Sequence, residues 1–148
     1  MQVFIPYQSP IDVAKCLDRR RLHKQILEAN QILSACLGES KVWRNHPVVK
    51  MYIHHTTWLS FYRDCLKSYL DDDIEQAQSI SDYADELYRP NFITSSLCDQ
   101  HKRRLFTKDP SFYSFFSSFG TSVENWYIVN GQKLVYINGK LINKEIIL

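Results

Sequence analysis

The chain has 148 residues, of which 45% are hydrophobic, 23% charged and 14% aromatic, and its formal net charge is +2. A chain of this length is expected to form one domain whose core needs no disulfide or metal to fold. No apolar run approaches the roughly 20 residues that cross a bilayer, and the N-terminus lacks the pattern of a secretory signal. We therefore expect a monomer without membrane contact that is located in the cytoplasm or on the nucleoid. A phage- or virus-encoded protein that acts inside the infected cell is equally consistent with these features.

The cysteines predict neither disulfides nor a metal centre. Cys16, Cys36, Cys65 and Cys98 are widely spaced, with no Cys-x-x-Cys pair, and the first three fall within helical apolar patterns. They are interpreted as reduced thiols of the core. The one local histidine pair, at residues 54–55, consists of neighbours that point to different faces of a helix, so no metal site is predicted.

The N-terminal part of the chain predicts an extended lead-in followed by helices. Residues 2–7 are apolar and contain a proline, which predicts an extended segment packed on the core. Ser9-Pro10 reads as a helix start, and Asp18 is a second N-cap at which the helix can break and restart. Apolar residues then recur with helical spacing up to Leu37, namely Leu22, Ile26, Ala29, Leu33 and Cys36.

Three further helices and a β-meander are predicted beyond residue 45. A helix with Pro47 in its first turn runs to about Leu70, and its N-cap is Asn45 or His46. An acidic surface helix covers residues 72–87, another helix runs from residue 95 or 96 to residue 108, and residues 111–116 form a short helical turn. Asn-Gly pairs at residues 130–131 and 138–139 are strong hairpin signals and predict three strands over residues 126–148.

The predicted fold class is therefore mainly α: a compact bundle of about four helices with a C-terminal β-hairpin or meander. Residues 1–148 are expected to form a single domain, with a helical core over residues 1–119 and a β-tail over residues 120–148.

The small net charge conceals three charged segments. Residues 15–24 and residues 102–108 each carry +4, whereas residues 71–86 hold seven acids and no base. Basic patches of this kind neutralise nucleic-acid phosphates, and the resulting affinity falls steeply with salt. Either patch alone is equally compatible with a solvated helix face.

Glu28 is the candidate catalytic residue. On the helix that follows Asp18 it shares a stripe with Arg21 and Gln25, and Lys24 lies beside them. Nearby cations favour the charged form of a carboxylate, so we expect Glu28 to be ionised at neutral pH. A single glutamate in a basic groove suits proton transfer, or the stabilisation of a cationic intermediate, at a sugar-phosphate backbone. An ordinary helix ion pair with Lys24 or Arg21 is the alternative.

Two other segments are candidate DNA contacts. Arg44, Asn45 and His46 precede the start of a helix, where free N–H groups bind phosphate, and Trp43 lies beside them; plain capping with a core tryptophan is the alternative. The second segment is a basic run followed by aromatic residues, a combination typical of nucleic-acid surfaces, although Phe115 and Phe116 are expected in the core. The basic run consists of His101, Lys102, Arg103 and Arg104.

Four features together resemble the pyrimidine-dimer DNA glycosylase family, and its bacterial branch in particular. They are Leu-Asp-Arg-Arg-Arg-Leu at residues 17–22, Glu28, Arg-Asn-His-Pro at residues 44–47 and the Lys-Asp-Pro-x-aromatic-Tyr segment that begins at Lys108. The resemblance extends over roughly residues 1–116 and implies a compact helical fold with the N-terminal segment lying between helices.

The resemblance also implies a mechanism on double-stranded DNA that uses no metal or cofactor. The α-amine of the first residue attacks the sugar C1′ and displaces a damaged base, and a Schiff base then leads to β-elimination. Gln2 is too bulky for ordinary methionine excision, so the implied nucleophile is the amine of Met1. By the same resemblance, Glu28 takes the role of the catalytic glutamate. The implied basic cluster around it consists of Arg19, Arg20, Arg21 and Lys24.

Two other functions remain open at the level of sequence. A module of the same fold that has lost its amine chemistry would bind DNA or RNA without cleaving it. A protein-interaction module would instead use the acidic helix at residues 72–86, or the hairpin tail, to bind a partner. If the protein is the enzyme, replacing Glu28 by glutamine should abolish cleavage and leave the affinity for DNA unchanged, whereas no effect on any activity favours the binding module. A failure to bind DNA at low salt favours the interaction module.

Overall fold

A computed structural model describes residues 1–147 of the chain. Six α-helices and one 3₁₀ helix (Ser114–Phe119) precede a three-stranded antiparallel sheet. The α-helices are α1 (Pro10–Cys16), α2 (Arg19–Cys36), α3 (Pro47–Tyr52), α4 (Thr56–Leu70), α5 (Ile74–Leu87) and α6 (Ser95–Lys108). The strands are β1 (Asn125–Val129), β2 (Gln132–Ile137) and β3 (Lys140–Ile146). The mainly helical class and the C-terminal meander are confirmed, but the expected number of about four helices is too small.

The additional helices arise from two breaks. The break before α2 was predicted: Leu17 is extended, and the Asp18 carboxylate accepts a hydrogen bond from the Arg21 N–H at 3.3 Å. The break between α3 and α4 was not predicted, because a continuous helix was expected from Pro47 to about Leu70. It brings the rings of Tyr52 and Trp58 into a stacked arrangement, with centroids 6.3 Å apart. Both helices face the same core, so the apolar spacing continues across the break and does not reveal it.

The extended N-terminal segment lies inside the molecule, as predicted. Its backbone groups have no sheet partner, so buried side chains satisfy them. Gln25 accepts from the Phe4 N–H at 2.8 Å, and the Nδ1 of His101 accepts from the Ile5 N–H at 2.8 Å. The hydroxyl of Tyr62 donates to the Phe4 carbonyl at 2.8 Å. The start of the chain is therefore fixed by α2, α4 and α6.

The sheet is the predicted meander, with both Asn-Gly pairs at its turns. All four turn residues have positive φ, between 50° and 76°, as a type I′ turn requires. Strand β1 packs against α3 and α6, and Tyr127 at its centre is buried in the main core. Every residue of β3 is exposed. The sheet therefore meets the helical part through its first strand.

The cysteines and aromatic residues divide between core and surface. All four cysteines are free thiols, with Cys65 and Cys98 buried and Cys16 and Cys36 half-buried. Phe116 is buried as expected, but Phe115 is 54% exposed, so its predicted place in the core is wrong. No helix of the described chain is long and apolar enough to cross a membrane.

Candidate functional site

A cleft of about 300 Å³ lies where the chain start meets α2 and the end of α6. Five cationic side chains line it, together with three carboxylates and the first residues of the chain. The cations are Arg20, Arg21, Lys24, Arg104 and Lys108, and the carboxylates are those of Asp18, Glu28 and Asp109. The terminal amine adds a further positive charge, so the cleft is electropositive and suits an anionic ligand.

Gln25 connects the chain start to Glu28. Its Oε1 accepts from the Phe4 N–H at 2.8 Å and lies 3.0 Å from the Tyr62 hydroxyl, whose single proton it shares with the Phe4 carbonyl. Its Nε2 donates to the Gln2 carbonyl and to Glu28 Oε2, both at 3.0 Å. The spacing of three along α2 places Gln25 and Glu28 on one helix face. The buried amide thus fixes the carboxylate relative to the first peptide units of the chain.

The ionisation of Glu28 reflects two opposing effects. Burial raises the pKa of its carboxyl, whereas the charges of the terminal amine and Lys24 lower it, as do hydrogen bonds from Gln2 and Gln25. The net direction is upward. The expectation from sequence considered only the cations, which are present, and omitted the larger effect of burial. Glu28 therefore holds a proton more strongly than an exposed glutamate, which suits a group that accepts and returns protons.

The first residue is held at the edge of the cleft by the C-terminal sheet. The Tyr127 hydroxyl donates to the Met1 carbonyl at 2.9 Å, and Met1 itself is half-buried. The positive charge of the amine acts on two neighbours, Glu28 and His46. Burial and, to a smaller extent, this charge lower the pKa of His46 to about 4. The Nδ1 of His46 accepts from the Val48 N–H at 3.1 Å, so the neutral ring carries its proton on Nε2.

Asp18 and Tyr113 support Arg21 at the rim of the cleft. The Tyr113 hydroxyl donates to the Asp18 carboxylate, and the Asp18 N–H donates back to that hydroxyl at 3.1 Å. Burial acts to raise the pKa of Asp18, but hydrogen bonds from Tyr113 and Arg21 outweigh it and lower the pKa. The ionised carboxylate pairs with Arg21 at 3.4 Å, and the guanidinium lies 5.6 Å from the centre of the Tyr113 ring.

Helix α6 adds two cations to the opposite side of the cleft. Arg104 donates to the Asn125 side-chain oxygen at 3.1 Å and to the Ser122 carbonyl at 2.9 Å. Lys108 lies one turn further along. Desolvation lowers the pKa of its amine, and so do the charges of Arg104, Arg21 and Lys24. Several positive charges in one place favour the binding of phosphate oxygens.

The structure brings together six of the residues selected from the sequence and separates the others. The six that line the cleft are Met1, Glu28, Arg20, Arg21, Lys24 and Arg104. Arg19 is exposed at the start of α2 but does not line the cleft. Arg44 and Asn45 are exposed in the loop before α3, where Trp43 is also 43% exposed rather than part of the core. His46 is the N-cap of α3.

The basic run at residues 101–104 does not form one surface. His101 is 1% exposed, accepts from the Ile5 N–H and packs against the Gln2 carboxamide, so it supports the chain start and is not accessible to DNA. The Lys102 amine lies over the ring of Phe119, 4.6 Å from its centre, and pairs with Asp99 at 3.4 Å. Arg103 donates to the Phe119 carbonyl at 3.0 Å. Helical rotation turns these side chains to different faces, and Arg104 alone of the four lines the cleft.

Several residues that complete the site were not among the site residues predicted from the sequence. Gln25, Lys108 and Asn125 line the cleft, and Tyr127 holds Met1. The spacing of Gln25 three residues before Glu28 is a signal in the sequence, and Lys108 opens the Lys-Asp-Pro segment. No local pattern identifies Asn125 or Tyr127, because their role depends on contacts with residues far away in the chain. In residues 1–147, no three His, Cys, Asp or Glu side chains gather as a group that could hold a metal ion.

Comparison with known proteins gives a match between the N-terminal part of the chain and one family model. The family model described as pyrimidine dimer DNA glycosylase matches residues 1–70, which include the chain start, α1 to α4, Gln25, Glu28 and His46. The resemblance to that family is thus confirmed over these residues. The match does not extend to α6 or to the sheet. No curated protein and no solved structure matches the chain.

Proposed function

With residues 1–70 in the pyrimidine dimer DNA glycosylase family, we propose that the protein is a DNA glycosylase with AP-lyase activity. Its substrate is duplex DNA that contains pyrimidine dimers or other damaged or modified bases. The observation that carries the proposal is the position of the chain start and Glu28 on one cationic cleft, joined through Gln25.

The α-amine of Met1 is the nucleophile in this proposal. Its nitrogen forms a bond to the sugar C1′ while the bond from C1′ to the base breaks, and the base leaves with that electron pair. Loss of an amine proton and opening of the sugar ring give a protonated imine at C1′. Removal of a C2′ proton then expels the 3′ phosphate, which nicks the strand. An N-terminal amine suits this chemistry because its pKa is usually well below that of lysine.

Glu28 is the group that moves protons at the sugar. Its carboxylate lies near the positive amine, so it can also stabilise the cationic imine as it forms. The raised pKa matches a residue that takes a proton in one step and returns it in a later one.

The cations of the cleft bind the phosphates that flank the lesion. Arg20, Arg21 and Lys24 approach from α2, while Arg104 and Lys108 approach from α6. C1′ inside a stacked duplex is out of reach, so binding must bend the duplex or expose a nucleotide. Lesions that weaken stacking make this distortion less costly, which favours damaged over normal DNA.

The proposal is tested by the substitution Glu28→Gln, which keeps the size of the side chain and removes its ability to accept a proton. We expect the nicking rate on abasic and ultraviolet-irradiated duplexes to fall about 100-fold or more, in the range usual for lost acid–base catalysis. Duplex affinity, measured by fluorescence anisotropy, is expected to stay within about threefold, because the phosphate-binding cations are retained.

The matched control is Glu39→Gln, which makes the same change at an exposed glutamate just beyond α2. It should leave both nicking and affinity unchanged. A wild-type protein that binds duplexes but nicks neither substrate would reject the enzyme in favour of a non-catalytic DNA-binding module. Equal nicking by the wild type and Glu28→Gln would remove Glu28 from the mechanism.

A further inference from the structure

The C-terminal sheet lies outside the residues that match the family model, yet it reaches the first residue of the chain. Tyr127 occupies the middle of β1 and is 3% exposed. Its hydroxyl donates to the Met1 carbonyl at 2.9 Å across 126 positions of sequence. A buried phenol is usually hydrogen-bonded because leaving its O–H without a partner costs free energy.

This contact restricts where the terminal amine can lie. The carbonyl of Met1 is held by Tyr127, and the next carbonyl, that of Gln2, is held by the Gln25 amide at 3.0 Å. The Met1 carbonyl belongs to the first peptide unit and the Gln2 carbonyl to the second, and because each unit is planar, one contact on each restricts the orientation of both. Rotation about the Cα–C bond of Met1 is then the main freedom left to the amine, and the amine moves on a small circle beside Glu28.

The same ring also supports the second neighbour of the amine. The rings of Tyr127 and His46 meet edge to face, with centroids 5.4 Å apart. His46 is one of the two residues on which the charge of the amine acts. Close by on the same strand, Asn125 accepts from Arg104, a cation of the cleft. Strand β1 thus contacts the site at the nucleophile, at His46 and at Arg104.

We infer that Tyr127 is a positioning residue that holds the amine of Met1 in line for attack on C1′, so that the C-terminal sheet is part of the catalytic apparatus. The inference rests on the proposed function. Tyr127 touches neither the sugar nor the base, and it acts through the peptide group of Met1. Attack on carbon requires close approach in one direction, and a small misplacement of a reacting group lowers rates strongly.

The test is Tyr127→Phe, which keeps the ring, its packing against His46 and its place in the core, and removes only the donor. The matched control is Tyr136→Phe on the neighbouring strand. The Tyr136 ring packs 5.5 Å from that of Tyr127, and its hydroxyl makes no hydrogen bond with the residues described here. Both variants lose one hydroxyl from the same sheet, so a general effect on the sheet would appear in both.

The first readout is the rate of borohydride trapping on an abasic duplex under single-turnover conditions, measured over a range of enzyme concentrations. For Tyr127→Phe we expect the maximal rate to fall about tenfold while the half-saturating concentration stays within about twofold. Tyr136→Phe should behave as the wild type. An unchanged maximal rate in Tyr127→Phe would overturn the inference, and so would an equal loss in both variants.

A second readout does not depend on activity. Reductive methylation with ¹³C-formaldehyde labels the α-amine, and NMR relaxation of its methyl signal reports how freely the group moves. We expect a restrained signal in the wild type and in Tyr136→Phe, and a more mobile one in Tyr127→Phe. If the wild type traps no DNA but shows this pattern, the proposed reaction is wrong and the positioning contact stands. Equal mobility in all three proteins overturns the contact itself.

Discussion

Both amide protons and the oxygen of Gln25 have partners. The nitrogen donates to Gln2 and Glu28, and the oxygen accepts from the Phe4 N–H and shares the proton of the Tyr62 hydroxyl with the Phe4 carbonyl. A buried amide with complete bonding holds its neighbours in one geometry, whereas a partly bonded one is costly. The geometry of the site therefore depends on a neutral side chain as well as on its charged ones. The charges of α2 were visible in the sequence, but the burial that gives Gln25 this role was not.

His101 plays the corresponding part on the other side of the N-terminal segment. Burial and, secondarily, the charge of Arg104 lower its pKa to about 3, against an ordinary value near 6.5. Its Nδ1 accepts from Ile5, so the neutral ring has its proton on Nε2, which faces the Gln2 carboxamide and needs the oxygen of that group as its acceptor. The sequence suggested a DNA contact at this position because it stands in a basic run. The apolar face of α6 turns it inward instead.

The depressed pKa of His101 predicts how stability depends on pH. Below pH 6.5 the unfolded chain binds a proton at this ring, but the folded protein does not until the pH approaches about 3. Its contribution to stability is thus complete above pH 6.5 and is lost as the pH falls toward 3, at about 1.4 kcal/mol per pH unit. Between pH 6.5 and 5 the wild type should lose about 2 kcal/mol through this group, as measured by urea unfolding.

The comparison needs two variants. His101→Gln should be less stable at pH 7, and its stability should fall less steeply with acid than that of the wild type. His23→Gln removes an exposed imidazole and serves as the control. Parallel pH profiles for His101→Gln and the wild type would show that His101 is not held neutral in the folded protein.

At the scale of the elements, the features that depend on neighbouring residues were predictable from the sequence, whereas those that depend on long-range contacts were not. Asp18 predicted the start of α2, and the Asn-Gly pairs predicted both hairpin turns, because caps and turns depend on neighbouring residues. The break between α3 and α4 was missed since neither Gly nor Pro marks it. The contact between β1 and the chain start was missed for another reason: it joins residues at opposite ends of the sequence, and no periodicity reports that.

Substitutions of Gly131, in the first hairpin turn, should destabilise the protein to different degrees. Its φ is +74°, and a Cβ there would meet nothing nearer than the Ile147 carbonyl at 3.8 Å, so backbone strain and not collision sets the cost. Gly131→Ala should destabilise by about 1 kcal/mol, Gly131→Asn by less and Gly131→Val by more, since asparagine tolerates this conformation best. Thermal unfolding measures the order. Gln132→Ala, at the neighbouring exposed position, serves as the control and should be nearly neutral. Equal stability of Gly131→Ala and the wild type would show that a side chain at this positive φ costs no backbone strain.

At the scale of the molecule, the charges are separated in space as well as in sequence. The cleft gathers cations from α2 and α6, while the acidic α5 packs on α4 and α1 and contributes no described residue to the cleft. In the proposed function, such a field draws a duplex toward the cleft and away from α5. The net charge of +2 gives no hint of this arrangement. The cations that α2 contributes to the cleft were nevertheless predictable from the sequence, because those residues lie close together along the chain.

The identity of the nucleophile is the claim on which the proposed reaction depends. Two lysines, Lys24 and Lys108, line the same cleft as the Met1 amine, and the pKa of Lys108 is lowered. A lysine with a lowered pKa can also form a Schiff base. The three amines therefore have to be distinguished directly.

The most direct measurement is to trap the protein on an abasic duplex with borohydride, digest it, and locate the sugar adduct by mass spectrometry. The intact mass of the untreated protein is measured alongside, to show that residue 1 is present and its amine free. We predict that the adduct lies on the α-nitrogen of Met1, in the N-terminal peptide. An adduct on Lys24 or Lys108, or no adduct on a protein that binds the duplex, would contradict attack by the chain start.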